Sequence, residues 1–115
     1  MTYTPIQQQF IDSLRALAHE IHINAKAKGF WQQDRNDGEM ICLMHGELSE
    51  AHEAIRKGNP PDDHIPESLG TEAEFADVII RIMDTCHARE WALAEAIIAK
   101  MAYNKNRPFM HGKKC

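Results

Sequence analysis

The sequence has little cysteine and no long apolar run. Its three cysteines, Cys42, Cys86 and Cys115, form no C-x-x-C pair. The first two lie in apolar helical segments, where a free thiol behaves as a small hydrophobic group, so we expect a reducing, cytoplasmic location. No apolar stretch approaches the roughly 18 residues that span a bilayer, and the first residues lack a basic segment followed by an apolar one. Neither export nor a membrane partner is expected.

Glycine-rich phosphate loops and nucleophile motifs are also missing. The chain has no G-x-x-x-x-G-K-[ST] or G-x-G-x-x-G stretch, which excludes phosphate binding by such a loop. It has no G-x-S-x-G elbow, and nothing in it indicates nucleophilic serine or cysteine catalysis. The formal net charge of −4 argues against duplex nucleic acid as a partner, because proteins that bind it carry a basic surface. An anionic ligand would need locally placed cations.

What the sequence does contain is four segments with helical periodicity. The first follows a Thr4-Pro5 cap, and the last ends before Pro108. The apolar spacing predicts one all-α domain over residues 1–115, resembling a four-helix bundle. The predicted helices cover about 5–28, 39–57, 72–89 and 91–106, followed by a basic tail over 107–115.

The apolar faces of the middle helices can be read from the same spacing. In the second helix the face is predicted to consist of Ile41, Met44, Leu48, Ala51 and Ile55. In the third helix the predicted buried residues are Phe75, Val78, Ile79, Ile82 and Cys86.

Two pairs of carboxylates lie on these middle helices. Glu47 and Glu50 form one pair, and Glu74 and Asp77 form the other. A spacing of three residues puts both members on one helix face, with Cβ atoms roughly 5 to 6 Å apart. Four acids on two facing helices can hold hard cations, and oxygen ligands without histidine or cysteine favour Mg²⁺ over Zn²⁺. We expect a magnesium site for phosphate chemistry, with Mn²⁺ as an alternative ion.

Simpler roles exist for some of these acids. Thr71 and Glu74 match a capping box, in which Glu74 would accept a hydrogen bond from the backbone N–H of the cap. Asp77 and Arg81 could form only an i,i+4 surface pair. Glu47 differs, because its helical neighbours are small or apolar and an unpaired charge among them would be costly. Glu47 therefore needs a counter-ion.

Polar residues replace apolar ones at the end of the fourth helix. Its apolar stripe continues into Lys100, Asn104 and Arg107, at spacings of four and three residues. Cations and amide donors here suit the phosphate oxygens that a metal cluster leaves uncovered. A frayed helix end in water is the alternative interpretation.

The end of the first helix shows a similar change. Its stripe continues through Asn24 and Lys28, which either contact a ligand or emerge into water. Trp31, beside a polar connection, is either a core or hinge aromatic or a platform for base stacking.

In their order along the chain, these residues resemble the MazG-like all-α nucleoside triphosphate pyrophosphohydrolases. The signature of that family is E-x-x-E, a variable spacer and E-x-x-D; here it is Glu47-Leu-Ser-Glu50, twenty-three intervening residues and Glu74-Phe-Ala-Asp77. The similar surrounding stretches are Gly46-Glu-Leu-Ser-Glu-Ala-His-Glu-Ala, Phe75-Ala-Asp-Val-Ile-Ile-Arg, Lys100-Met-Ala-Tyr-Asn-Lys-Asn-Arg-Pro and His111-Gly-Lys-Lys. Together the resemblance covers most of residues 24 to 114.

This resemblance implies a MazG-type fold and Mg²⁺-dependent hydrolysis of a (d)NTP to the (d)NMP and pyrophosphate through metal-activated water. It implies that the metal ligands are Glu47, Glu50, Glu74 and Asp77. Either Glu47 or Glu50 would accept the proton of the attacking water. By similarity, the nucleotide would be contacted by Lys100, Asn104, Arg107, Trp31 and Asn24. The resemblance also implies a homodimer or homotetramer whose sites can borrow residues from a neighbouring subunit.

Two other interpretations compete with the hydrolase. A di-iron carboxylate bundle requires a Glu-x-x-His motif on each of two helices, whereas this chain offers only Asp84-x-x-His87. A non-catalytic helical interaction or nucleotide-binding module, with the acids as solvated faces, is the second alternative.

Overall fold

A computed structural model describes residues 2–114, apart from the side chain of His111; Met1 and Cys115 lie outside the described residues. Within this range the secondary structure is helical, with a single isolated bridge between Pro61 and Leu69 and no strand. The prediction of an all-α chain with four helices is confirmed. The elements are α1 (Pro5–Ala27), α2 (Asp37–Arg56), α3 (Gly70–Arg89), α4 (Leu93–Lys105) and a 3₁₀ helix over Phe109–Gly112.

The first two helices begin at side-chain caps. The Thr4 hydroxyl accepts from the Gln7 N–H at 3.2 Å, and the Gln7 side chain accepts from the Thr4 N–H at 2.9 Å. At α2, Asn36 Oδ1 accepts from the Gly38 N–H at 2.8 Å and more weakly from Glu39. Because Asn36 satisfies these first-turn donors, α2 starts two residues earlier than its apolar pattern predicted.

The predicted capping box at the start of α3 is wrong. The cap is Leu69, whose N–H donates to the Glu72 carboxylate at 2.7 Å. Thr71 instead donates from both its N–H and its hydroxyl to Asn59 Oδ1, at 2.9 and 2.7 Å. The helix therefore begins before Thr71, and Glu74 takes no part in capping.

The basic tail contains a short helix among its described residues. Residues Phe109–Gly112 form a 3₁₀ helix, which Pro108 precedes in an extended conformation. At the start of α4, regular helix begins at Leu93 rather than at Trp91.

Helix α3 lies between α1 and α2 and runs antiparallel to both. Asp84 and His87 of α3 meet His22 and His19 of α1, in reverse order along the two helices. Helix α4 packs mainly on the N-terminal half of α1, where Ala94 and Ile98 form a buried cluster with Ile11. Since α4 runs antiparallel to α1, its C-terminal end points away from the α2–α3 pair.

Small residues set the contact between α2 and α3. Ala51 and Ala73 are buried, and a Cβ added at Gly70 would lie 3.0 Å from the Ala54 Cβ. Two helices that meet through alanine and glycine approach closely, and their large branched side chains then lie outside the contact.

This geometry corrects the predicted apolar faces. Leu48, Ile55, Phe75 and Ile79 are each about half exposed in the single chain. The buried apolar residues are instead few and mostly small or flexible: Ile11, Ala18, Met40, Ala51, Ala73, Met83, Ala94 and Ile98.

The single chain has more surface than a compact protein of its size. Its accessible area is 8720 Å², whereas a compact monomer of this mass exposes roughly 6,400 Å². Its radius of gyration is 16.5 Å, against about 13 Å for a compact domain of this length. No helix among residues 2–114 combines the length and apolar character needed to cross a bilayer.

Asn59 provides a test of how the α2–α3 connection is held. Its backbone is left-handed, with φ 53°, and its Oδ1 accepts both Thr71 donors. We predict that Asn59→Ala lowers the free energy of unfolding by about 1–3 kcal/mol, because it strands part-buried donors and disfavours the turn. Urea unfolding measures the loss.

The matched control is Asn59→Asp, which keeps the acceptor oxygen beside the N-terminus of α3. This variant should retain wild-type stability within about 0.5 kcal/mol. Equal losses in the two variants would contradict the assigned role of the Asn59 oxygen.

Candidate functional site

The structure brings three of the four predicted carboxylates together between α2 and α3. Glu47 and Glu50 extend from α2 and Glu74 from α3, and one carboxylate oxygen of each lies within 4.8 Å of the others. One helical turn separates Glu47 from Glu50, so both reach the same point on α3. The cluster thus presents an all-oxygen set of ligand atoms.

Glu74 lies in an environment that disfavours a charged carboxylate. Its Oε2 is buried and has no hydrogen-bond partner among the described residues. Burial, a hydrogen bond with Glu47 and the charge of Glu50 raise the pKa of Glu74 from 4.5 to about 7. Without a cation nearby, this environment favours the protonated form of Glu74. A cation bound beside it would favour the charged form.

Asp77, the fourth predicted acid, lies one turn beyond Glu74 and is more exposed. Burial raises its pKa above the ordinary value, and the charge of Glu47 adds to the shift. Asp62, in the loop before α3, contributes in the same direction, so that loop lies near the cluster. Asp77 therefore shares the electrostatic environment of the three glutamates, although it is not within the 4.8 Å group.

Arg81 supplies the counter-ion that the sequence predicted for Glu47. Its Nε donates to Glu47 Oε1 at 3.1 Å across the α2–α3 contact. The simpler proposal that Arg81 forms only a surface pair with Asp77 missed this contact. Among the described contacts, the Arg81 guanidinium pairs with only one of the four predicted carboxylates, so the cluster keeps an excess of acidic groups.

A cavity of about 360 Å³ opens beside the cluster, and both Glu47 and Asp77 line it. Asn24, Lys28 and Trp31, which the sequence predicted as substrate contacts, line the same cavity. Its apolar walls include Ile21, Met40, Leu43 and Ile80, and Arg35 and Arg81 add cationic groups. The combination of apolar walls, a few polar groups and adjacent acids is typical of small-molecule sites.

Trp31 is held at the cavity wall by α3. Its Nε1–H donates to both Asp84 oxygens, at 2.9 and 3.1 Å. His22 lies 2.7 Å from Asp84 Oδ1 through its Nδ1, and its ring meets the indole edge at a centroid distance of 5.3 Å. Sequence reasoning considered Asp84 only as part of a weak di-iron motif and missed His22, because no local pattern joins residues so distant in sequence.

Lys100, Asn104 and Arg107 are not among the residues that line the cavity beside the acidic cluster. They follow Ala94 and Ile98, the α4 residues that pack on Ile11 of α1, whereas the α1 residues that line the cavity include Ile21 and Asn24. The Lys100 ammonium and the Arg107 guanidinium flank the Tyr103 ring, at 5.2 and 5.4 Å from its centroid. Asn104 Oδ1 is buried without a hydrogen-bond partner among the described residues.

No family model, no curated protein and no solved structure matches this chain.

The raised pKa of Glu74 predicts a pH-dependent stability in metal-free buffer. The unfolded chain releases the Glu74 proton near 4.5 and the folded chain near 7, so this group destabilises the fold as pH rises through that window. We predict that Glu74→Gln, which cannot ionise, unfolds like wild type at about pH 4 but a few degrees higher at about pH 8. Thermal unfolding with a chelator present measures the difference.

Glu72→Gln is the control, since Glu72 lies on the same helix but caps the Leu69 N–H. A melting-temperature difference between wild type and Glu74→Gln that does not change with pH would contradict the crowded environment assigned to Glu74.

Proposed function

We propose that the chain is a Mg²⁺-dependent nucleoside triphosphate pyrophosphohydrolase that converts a (d)NTP to the (d)NMP and pyrophosphate. The observation that carries the proposal is the cluster of Glu47, Glu50 and Glu74 beside a cavity of nucleotide-compatible character. Glu74 Oε2, buried and without a donor, is the atom that most requires a cation.

The donor set fits magnesium. Mg²⁺ prefers oxygen ligands and is bound through a few carboxylates together with substrate phosphates. The described cluster offers carboxylate oxygens from Glu47, Glu50 and Glu74, with Asp77 adjacent, and no histidine or cysteine belongs to it. These four residues would hold Mg²⁺ or, as a substitute, Mn²⁺. The chemistry that the bound ion supplies is neutralisation of the triphosphate and a lower pKa for water.

The residues of the chain then divide the remaining tasks. Glu47 accepts a charge-assisted hydrogen bond from Arg81, which fixes its carboxylate and occupies one of its oxygens. Glu50 is exposed, so we assign it the proton of the attacking water. Lys28 lines the cavity as a cation for phosphate oxygens, and Trp31 and Asn24 line it where the nucleoside would lie.

We further propose that the chain is a MazG-like enzyme located in the cytoplasm. The support is the order of the two acidic pairs on antiparallel α2 and α3, and the position of Asn24, Lys28 and Trp31 in the cavity beside them. Cys42 and Cys86 are free thiols in the structure, which suits a reducing compartment.

Self-association is the second part of the proposal. The chain exposes roughly 2,300 Å² more than a compact monomer, an excess of the size that obligate homodimers bury per subunit. Leu48, Ile55, Phe75 and Ile79 are half exposed on the two helices that carry the acids. We infer that a second copy covers this apolar face, as a homodimer or a homotetramer.

The same assembly would complete the active site. Lys100 and Asn104 on α4, and Arg107 just after it, do not line the cavity that borders the acids of their own chain. We propose that these side chains meet the triphosphate bound by a neighbouring subunit. Cations on α4 would then face the phosphate oxygens opposite the carboxylates.

The two alternative functions make different predictions. A di-iron site would need Asp84 and His87 as ligands, but Asp84 is bonded to Trp31 and His22 and lies apart from the glutamate cluster. Visible absorbance that depends on iron would favour that site. A non-catalytic interaction module would be stabilised thermally by neither metal nor nucleotide.

We predict that wild type releases pyrophosphate from members of a dNTP panel only with Mg²⁺ or Mn²⁺. Glu50→Gln should lower kcat by roughly 10²- to 10⁴-fold, because it removes the proton acceptor. Glu53→Gln is the matched control, since Glu53 lies one turn further along α2 and its described ion pairs are with Arg56 and Lys57. Full activity of Glu50→Gln would contradict the catalytic assignment.

The assembly predicts a change in solution mass. Wild type should have a light-scattering mass of a dimer or tetramer of the 13.1 kDa chain. Leu48→Glu should shift this mass toward the monomer, because a charge would be buried in the apolar face. Gln9→Glu adds the same charge at an exposed site on α1 and should leave the mass unchanged.

A mixing experiment tests whether sites are shared. Glu74→Gln and Lys100→Ala should each be inactive alone, but co-refolded in equal amounts they should recover roughly a quarter of wild-type activity, from mixed dimers with one intact site. If the mixture stays inactive while mixed dimers form, Lys100 does not act on a neighbouring subunit.

A further inference from the structure

Asp84 is a carboxylate that the proposed chemistry leaves without a role. Its side chain is 17% exposed, and it lines the cavity on the side away from the glutamate cluster. Its partners are the Trp31 indole N–H at 2.9 and 3.1 Å and His22 Nδ1 at 2.7 Å. Since a carboxylate only accepts, His22 donates from Nδ1.

These contacts fix the orientation of one aromatic ring. The indole edge is anchored on Asp84, and the His22 ring packs against it at an interplanar angle of 65°. The Arg89 guanidinium lies over the indole, 5.9 Å from its centroid, and does not line the cavity. Arg89 therefore contacts the indole from outside the cavity, while Trp31 itself is one of the cavity's lining residues.

Arg89 is itself held by hydrogen bonds to the loop that carries Trp31 and to the start of α2. It donates to Asp37 at 2.9 Å, to Asp34 at 3.3 Å and to the Arg35 carbonyl oxygen. The loop that carries Trp31 is thus tied to the end of α3 at two points, Asp84 and Arg89.

The spacing along α3 relates this wall to the acids. Asp84 follows Asp77 by seven residues, which is two helical turns or roughly 10 Å. Both residues line the same cavity. A nucleotide whose phosphates lie at Asp77 would extend its base toward Asp84 and Trp31, because the sugar separates the two by a length of this order.

We propose that Asp84, braced by His22, is a positioning residue that holds the Trp31 indole as the stacking wall of a nucleobase subsite. The inference rests on the proposed function, which takes the acidic cluster as the end where the triphosphate binds. Stacking on an indole accepts every nucleobase, so this wall contributes affinity without choosing among bases. Asp84 acts only through Trp31.

Stability alone does not explain why a carboxylate occupies the position of Asp84. Its charge is held by the neutral indole and by an imidazole, without a lysine or arginine partner among its described contacts. A part-buried ionised group held in this way costs solvation free energy that an apolar contact between α1 and α3 would not. Precise orientation of the indole is what the carboxylate adds.

A double-mutant cycle between Asp84 and Trp31 tests the proposal. The variants are Asp84→Asn, Trp31→Phe and both together, with KM and kcat measured on a dNTP that wild type hydrolyses. Trp31→Phe keeps an aromatic face but loses the N–H that Asp84 accepts. Asp84→Asn should raise KM by roughly 5- to 50-fold and leave kcat within about twofold, since stacking affects binding rather than the reacting atoms.

The coupling between the two changes is the decisive result. In the Trp31→Phe background, Asp84→Asn should raise KM less than about twofold further, because its effect passes through the lost N–H. If the fold-increases in KM of the two single variants multiply fully in the double variant, or if the loss is confined to kcat, the positioning role is overturned. His22→Ala should raise KM in the same direction, whereas His19→Ala, which removes a contact to His87 and none to Asp84, should not.

Fluorescence gives a readout that does not depend on turnover. In a Trp91→Phe background Trp31 is the remaining tryptophan, and a dNTP added to the Glu50→Gln variant should quench its emission. Asp84→Asn should weaken the quenching and move the emission maximum of the free protein to longer wavelength. If Asp84→Asn leaves the quenching unchanged while the wild-type protein hydrolyses the dNTP, the subsite alone is overturned. If the wild-type protein shows no dNTP binding and no turnover, the proposed function is overturned as well.

Discussion

The repulsion among carboxylates at the α2–α3 contact is the constraint on which the rest of the structure depends. Glu47, Glu50 and Glu74 bring oxygens within 4.8 Å of one another, and among the described hydrogen bonds Arg81 donates to Glu47 of these three. Burial and these neighbours raise the pKa of Glu74 to about 7. A protein gains no stability from such a cluster, because each negative charge raises the cost of the next. The arrangement is explained if a divalent cation binds there, which is the basis of the proposed hydrolase.

The close approach of α2 and α3 that creates this cluster also determines the outer surface. Ala51, Ala54, Ala73 and Gly70 allow the two backbones to come near each other. When α2 and α3 pack through these small residues, their large branched side chains point outward, where a single chain cannot cover them. Charge at the contact and apolar surface outside it are therefore two consequences of one packing arrangement, and a second copy of the chain would relieve the second of them.

The cavity depends on a different set of contacts, between α3, α1 and the loop that follows α1. Asp84 and Arg89 hold that loop at separate points, and His22 of α1 supports Asp84. The acids and the aromatic wall thus share one rigid element, α3. This common support sets the distance between the acidic cluster and the aromatic wall, the two ends at which the proposed nucleotide would be held.

The sequence by itself determined the helical class, the approximate limits of four helices and the grouping of acids on the middle two, because these follow from side-chain periodicity and the three-residue spacing on one helix. It also predicted that Glu47 needs a counter-ion, from its apolar neighbours alone. It could not identify Arg81 as that partner, the Asp84–Trp31–His22 contacts, or which faces of α2 and α3 are buried. Those depend on how far each helix is rotated about its axis when it packs, and small residues at the contact, distant in sequence, decide that rotation. Only the tertiary structure brings such residues together.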